Sequence, residues 1–236
     1  MGKYGKWIGG TLGWAFGGPI GGILGFAFGS MLDGVTVTNI NQTTQSGDFI
    51  ASLLILTASV MKADKKVLKS ELDYVKEFFL KQFGTEVTEQ KMLMLREILK
   101  QDIPIGDVCL QIKQNMDYSA RLQLIHFLFG VAAADGYVHS DEIIVVEEIA
   151  HYLNIQFNDI ASIKAMFVKD TESAFKILEI TTDATDDEVK KAYRKMALKY
   201  HPDKVSQLGP DVENAAKEKF QQLNAAYEQI KKQRGL

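Results

Sequence analysis

His201-Pro202-Asp203 sets an imidazole and a carboxylate two residues apart across a proline. Such a pair can serve as a general base with its orienting acid, but the sequence places no metal or nucleophile constellation around Asp203, and Pro202 fixes the turn. Recognition is therefore the favoured chemistry, with both side chains offering specific hydrogen bonds from a rigid corner. A second constellation is acidic: Asp64, Glu71, Asp135 and Glu142, with His139 nearby, could meet and bind a divalent cation, the only cofactor the sequence suggests. The plainer reading has the aspartates closing turns, Ser70 and Ser140 capping the helices that follow, and the acids sitting in first turns where the helix dipole favours them. Spacing favours this plainer reading. Cys109 is the only cysteine, which excludes an internal disulfide, a CxxC redox pair and a cysteine-rich zinc module, and it is expected to be buried and inert.

The corner needs two helices to present it. "DATDDEVKKAYRKMALKYHPDK" opens with Thr185 as a cap and Asp186, Asp187 and Glu188 in the first turn. At 100° per residue, Lys190, Lys191, Arg194, Lys195 and Lys199 fall within about 180° of arc with Leu198 among them, while Val189, Tyr193, Met196 and Tyr200 share the opposite side. One half of the helix is cationic and the other is a core face. The residue before a proline is pushed out of the α region, so the helix ends at His201-Pro202. After Gly209 and Pro210, "VENAAKEKFQQLNAAYEQIKKQR" puts Phe220, Leu223, Tyr227 and Ile230 on one stripe that can pack antiparallel against Val189, Tyr193 and Met196.

These three parts together, "KKAYRKMALKY", His201-Pro202-Asp203 and "KFQQLNAAYE", resemble the J domain of DnaJ-type co-chaperones. The resemblance implies docking of the corner and basic helix on a DnaK-type chaperone and stimulation of its ATP hydrolysis. It carries over to Tyr193, Arg194, Lys195 and Lys199 on the helix and to His201, Pro202, Asp203 and Lys204 at the tip. Lys190, Lys191 and Leu198 share the cationic face and join them as candidate chaperone-binding residues. One departure is local: the usual Leu-Gly closing the first short helix reads Leu178-Glu179 here. Neither a Gly/Phe-rich stretch nor a four-cysteine zinc repeat follows, so client choice is expected to come from location or from the middle of the chain.

The other end obeys different rules. Trp7 to Leu32 holds no charged side chain, and twelve of the nineteen glycines lie within residues 1–34. Gly5, Gly9, Gly13, Gly17, Gly21, Gly25 and Gly29 recur every fourth residue, which on a helix makes a groove that a second helix can approach backbone to backbone. In water such a row costs on the order of 1 kcal/mol per glycine relative to alanine. A membrane helix that packs on its own copy answers both facts, with Lys3, Tyr4, Lys6 and Trp7 as interfacial anchors and Pro19 as a kink. A hairpin turning at Gly17-Gly18-Pro19 would leave arms too short to cross, and a cleaved signal peptide would need a shorter apolar core. The two preceding lysines, counted alone, put the N-terminus in the cytoplasm.

Between these ends, "TVTNINQTTQS" reads as a polar linker, and helical spacing recurs over 48–63, 70–83, 88–100, 104–115, 118–133, 140–153 and 156–168. Leu56–Phe79 aligns with Phe127–Ala150 at an offset of 71, matching Ala63-Asp64 with Ala134-Asp135 and Glu71 with Glu142. This pattern resembles the TerB-like helical domain, although Lys65 stands where the glycine is expected. His126 and His151 lie in apolar helical patterns and read as core or boundary residues. Net charge is about −5 over residues 48–170 and about +1 over each flank, so no segment is basic enough for nucleic acid.

The whole chain thus resembles the DjlA-type family of membrane-anchored DnaJ-like co-chaperones. The expected fold is all-α: a glycine-rich single transmembrane helix (1–34), a linker (35–47), a TerB-like domain (48–170) and a J-domain helical hairpin (171–236). The family implies a co-chaperone, not an enzyme, with a DnaK-type partner, in envelope quality control or stress signalling. It also implies residence in the bacterial inner membrane with the C-terminal domains in the cytoplasm, against the lysine count. The glycine row implies a homodimer. The competing reading is a signalling or metal-sensing scaffold whose primary site is the acidic middle domain.

Overall fold

The computed structural model describes residues 5–31, 45–136, 139–168 and 172–235, and among these every regular element is helical. The N-terminal flank with Lys3 and Tyr4, linker residues 36–44, Val138 of the second repeat and the expected boundary at 170/171 lie outside the described residues. Backbone contacts divide the chain into two compact units, Met1–Met116 and Asp117–Leu236, and the division falls inside the stretch 48–170.

The first unit holds α1 (Gly5–Met31), α2 (Gln45–Met61), α3 (Lys69–Ile98) and α4 (Ile105–Asn115). α1 is not one straight rod. The proline kink expected at Pro19 occurs one residue earlier and far more sharply, because Gly18 takes φ 61°, ψ −157°. The two arms fold back on each other: a Cβ at Gly10 would lie 3.5 Å from Phe26, and one at Gly22 would lie 2.9 Å from Trp14 and 3.7 Å from the Gly10 carbonyl. The turn at Gly17-Gly18-Pro19 is therefore the observed geometry, and the glycine groove expected to meet a second copy receives the other arm of its own chain. Only glycine adopts this backbone at low cost, and Pro19 falls in the first turn of the second arm, where its missing N–H is no loss.

The polar groups freed at the break are met from α4: the Gln111 amide donates to the Gly17 carbonyl at 2.8 Å and accepts from the Ile20 N–H at 3.0 Å. From the end of α3, the Gln101 amide donates to the Ile23 carbonyl at 3.3 Å. Among the described residues no helix is long and apolar enough to cross a membrane.

α2 is the centre of this unit. From Phe49 to Met61 nearly every side chain is buried, including Leu53, Leu54, Ile55, Leu56, Val60 and Met61, as a helix apolar on all sides requires. α3 joins the two expected helices 70–83 and 88–100 across Gly84, whose φ of 73° separates them.

The second unit repeats the plan. α5 (Tyr118–Ala132) is capped by Asp117, whose carboxylate accepts from the Ala120 N–H at 2.7 Å, and is buried from Leu122 to Ala132. α6 (Ser140–Tyr152) and α7 (Phe157–Phe167) pack beside it, and α8 (Ser173–Ile177), α9 (Asp186–Lys199) and α10 (Pro210–Arg234) complete the unit. The ends of α2 and α5 and the starts of α3 and α6 are each 71 residues apart, the offset of the sequence repeat. Both turns enter the left-handed region at the same place, Lys65 with φ 64° and Gly136 with φ 84°. In the first, the Asp64 carboxylate helps close the turn by accepting from the Lys66 N–H at 2.8 Å.

Left-handed backbone costs a non-glycine residue roughly 1–2 kcal/mol. Lys65→Gly is expected to stabilise the first unit by about 0.5–1 kcal/mol, net of the added unfolded-chain entropy, and Gly136→Ala to destabilise the second by a similar amount. Urea unfolding of the two variants beside the wild type checks this, and a destabilised Lys65→Gly contradicts it.

Candidate functional site

α9 is built as its sequence dictates. Thr185 and Glu188 form a reciprocal cap: the Thr185 N–H donates to the Glu188 carboxylate at 2.7 Å and the Glu188 N–H to the Thr185 hydroxyl at 3.3 Å. Val189 and Met196 are buried. Tyr193 faces α10, where its ring stacks on Tyr227 at 4.2 Å and its hydroxyl donates to the Asn224 amide oxygen at 2.9 Å. Of the candidate docking residues, Lys190, Lys191, Arg194 and Lys195 are exposed, and Leu198 is 69% exposed.

The helix stops at the proline, as expected, and Pro202–Leu208 forms a 3-10 turn. Pro202, Val205 and Leu208 are buried and fix the corner. The His201 and Asp203 side chains, 46% and 81% exposed, point outward, with His201 Nδ1 accepting from the Asp203 N–H at 3.3 Å and lying 3.4 Å from its carboxylate. The His201 ring meets Phe220 edge-on at 5.7 Å, and Lys204 is exposed.

The opposite edge of α9 is not free. Glu179, whose side chain is 6% exposed, takes Lys195 at 3.2 Å on one oxygen and Lys199 at 3.1 Å on the other. Lys199 also meets Asp159 of α7 at 2.6 Å, which leaves that lysine side chain 21% exposed. Asp159 has no access to solvent; it accepts from the Tyr118 hydroxyl at 2.6 Å and from the Tyr200 hydroxyl. Burial alone would raise its carboxyl, but the hydrogen bonds from Lys199, Tyr118 and Tyr200 outweigh it, and the group titrates below the ordinary carboxylate value. Burial, and then the carboxylate itself, push both tyrosine hydroxyls upward. Lys219 of α10 lies fully buried, its amine 3.7 Å from the Tyr200 ring centre and, among the described residues, without a hydrogen-bond partner. Burial drives it well below the ordinary lysine value.

Sequence reasoning missed Asp159 and Lys219, which carry no local signal. Glu179 was visible only as a departure from Leu-Gly.

In the acidic constellation Glu71 and Glu142 stand in the first turns of α3 and α6, and the caps of these helices differ from expectation. The caps before α3 and α6 are Leu68 and His139, not Ser70 and Ser140, and neither cap's side chain makes the capping bond. Glu71 instead reaches back to accept from the Leu68 N–H at 2.6 Å, and Glu142 takes the equivalent third helical position. Asp135 pairs with His139 at 3.2 Å. Among the described residues no three His, Cys, Asp or Glu side chains are grouped closely enough to hold a metal ion. Cys109 is buried, His126 is buried in α5, and His151 is exposed.

Comparison with known proteins matches three family models along the chain: the transmembrane domain of co-chaperone DjlA over residues 1–46, tellurite resistance protein TerB over 51–165, and the DnaJ domain over 173–234. The order and extent of these matches decide the assignment. The chain belongs to the DjlA-type family of J-domain co-chaperones. Among its relatives, the co-chaperone protein DjlA of Photobacterium profundum is 25% identical over 98% of this chain and 99% of its own. That of Vibrio parahaemolyticus is 26% identical over 83% and 81%. That of Coxiella burnetii is 45% identical across 27% of this chain and 24% of its own. No solved structure matches. The DjlA-type transmembrane match makes the glycine-rich segment a membrane anchor.

In this DjlA-type chain α5 and α10 also meet at His126, which lies 3.4 Å from the Gln222 amide oxygen and 5.0 Å between ring centres from Phe167. Burial, reinforced by the Lys219 amine, pushes its imidazole down to about 3. Above pH about 6.5 the ring is neutral whether the chain is folded or not, and its contribution is fully present; below that the unfolded chain takes up a proton that the folded chain refuses. Stability is therefore expected to fall by about 2 kcal/mol between pH 7 and pH 5 through this group alone. The urea midpoint at the two pH values should drop more for the wild type than for His126→Gln, and equal drops would contradict the assignment.

Proposed function

We propose that this chain stimulates ATP hydrolysis by a DnaK-type chaperone through the His201-Pro202-Asp203 corner and the cationic face of α9. The observation that carries this reading is the corner itself. Pro202 is anchored in the core while His201 and Asp203 stand in solvent, and Lys190, Lys191, Arg194 and Leu198 are exposed along the preceding helix α9. Cationic side chains on one face speed encounter with an acidic partner surface, and the two polar tips add directional hydrogen bonds. The chain itself is a regulator and the partner is the enzyme. Full-length protein in detergent is expected to raise the steady-state ATPase of DnaK several-fold, and His201→Gln to remove the increase without moving the thermal midpoint by more than about 2 °C. No stimulation by the wild type overturns the reading.

Because the partner needs ATP, the J domain of this membrane-anchored chain faces the cytoplasm, at the inner membrane. This location fits a role in envelope quality control or stress signalling. Among the described residues nothing lies within 4 Å of a Cβ at Gly17, in contrast to Gly10 and Gly22, which the hairpin occupies. We assign homodimerisation to that side of the glycine row. A reporter fused after residue 236 is expected to read cytoplasmic, and Gly17→Leu in the same fusion to lower a membrane dimerisation signal by at least about fivefold, the scale of a 1 kcal/mol loss. Periplasmic activity contradicts the orientation, and an unchanged dimer signal contradicts the interface.

A further inference from the structure

Glu179 is a non-glycine residue held at φ 56°, at the end of α8, in the backbone region that glycine occupies most cheaply. The residue that accepts this strain has a side chain almost out of solvent, and its two carboxylate oxygens are divided between two lysines of one helix face. Those lysines, Lys195 and Lys199, sit at one edge of the cationic arc, whose remaining members Lys190, Lys191 and Arg194 are exposed and make no ion pair among the described residues. The two held lysines differ. Lys195 is 69% exposed, so its pair with Glu179 is screened and opens readily, whereas Lys199 lies between Glu179 and the solvent-inaccessible Asp159.

We propose that Glu179 is a positioning residue that masks one edge of the chaperone-docking face, holding Lys195 and Lys199 in intramolecular ion pairs so that a partner must compete for them. The inference rests on the docking reading given above. An acidic partner surface first meets Lys190, Lys191 and Arg194, and gains Lys195 only by displacing a carboxylate already seated on it. Lys199 stays held from its other side by Asp159. The masked edge weakens docking without touching the corner that triggers hydrolysis, so its effect falls on the concentration of chain needed and not on the maximal rate.

The test is titration of full-length chain in detergent against DnaK ATPase at two salt concentrations. Glu179→Gln keeps the backbone strain and removes the charge, while Glu179→Gly removes both. Each is expected to lower the half-maximal concentration about three- to tenfold with the maximum unchanged, and to steepen the salt dependence. Glu218→Gln, an equal charge change at an exposed position on α10, controls for net charge and should shift it less than about twofold. Adding Lys195→Ala to Glu179→Gln should cancel most of the gain, while Lys195→Ala alone should matter less. Unchanged half-maximal concentration in both Glu179 variants, with wild-type stimulation intact and lost in His201→Gln, overturns the masking and leaves the docking reading standing. Absence of stimulation by the wild type overturns both.

Discussion

A carboxylate sealed from water must be met by donors on every side, and Asp159 is met by three. Tyr118 at the start of α5, Lys199 near the end of α9 and Tyr200 just beyond it all converge on this one group. The donors come from elements far apart in sequence, so their convergence fixes α9 against the α5–α7 half of the second unit. Removing any one donor would leave a buried charge short of a partner, a larger loss than the net worth of the bond itself. Lys219 borders the same centre. Its amine lies against the Tyr200 ring and has no hydrogen-bond partner among the described residues, so the hydroxyl side of Tyr200 meets a carboxylate and its face an amine. The proline corner begins at the next residue, and its orientation is inherited from this arrangement.

α9 consequently has three sides with three duties. Val189 and Met196 face the core, and Tyr193 ties the helix to α10 through Tyr227 and Asn224. Lys195 and Lys199 are engaged by carboxylates of their own chain, and Lys190, Lys191, Arg194 and Leu198 face solvent. A wheel drawn from the sequence separates the first side from the others but cannot split the cationic half, because Lys190 and Lys199 look alike until the residue opposite is known.

What was legible in the sequence is what depends on near neighbours. The helices of the middle region emerged within a few residues of their expected ends because apolar spacing at the helical period is a local signal. The offset of 71 foretold two turns of one kind, and the left-handed backbone at both Lys65 and Gly136 shows that the lysine did not change the turn. The reciprocal cap of α9 and the proline stop at its end were equally local. What escaped was long-range. The glycine segment contains no sign that Gln111, more than ninety residues away, would supply both the donor and the acceptor that a break at Gly18 requires. Asp159 lies in an ordinary first turn of α7, and nothing nearby says that two tyrosines and a lysine will reach it. Ser70 and Ser140 misled because a good capping residue one or two places inside the helix has no cap to make.

Lys65 and Glu179 show how the same backbone strain can be answered in two ways. At Lys65 the turn is supported by its neighbour, since the Asp64 carboxylate accepts from the Lys66 N–H and the lysine side chain stands exposed. Nothing in that turn requires a lysine, so the strain there is simply tolerated by a unit whose stability comes from the buried length of α2. At Glu179 the residue under strain is itself the partner: its own carboxylate spans Lys195 and Lys199 and so links the end of α8 to α9. A glycine would relax both positions, but only at Glu179 would it also release charged groups onto the surface beside the corner. Backbone strain is therefore coupled to surface charge at one of the two sites and independent of it at the other, and sequence pattern alone, which marks both as a missing glycine, does not separate them.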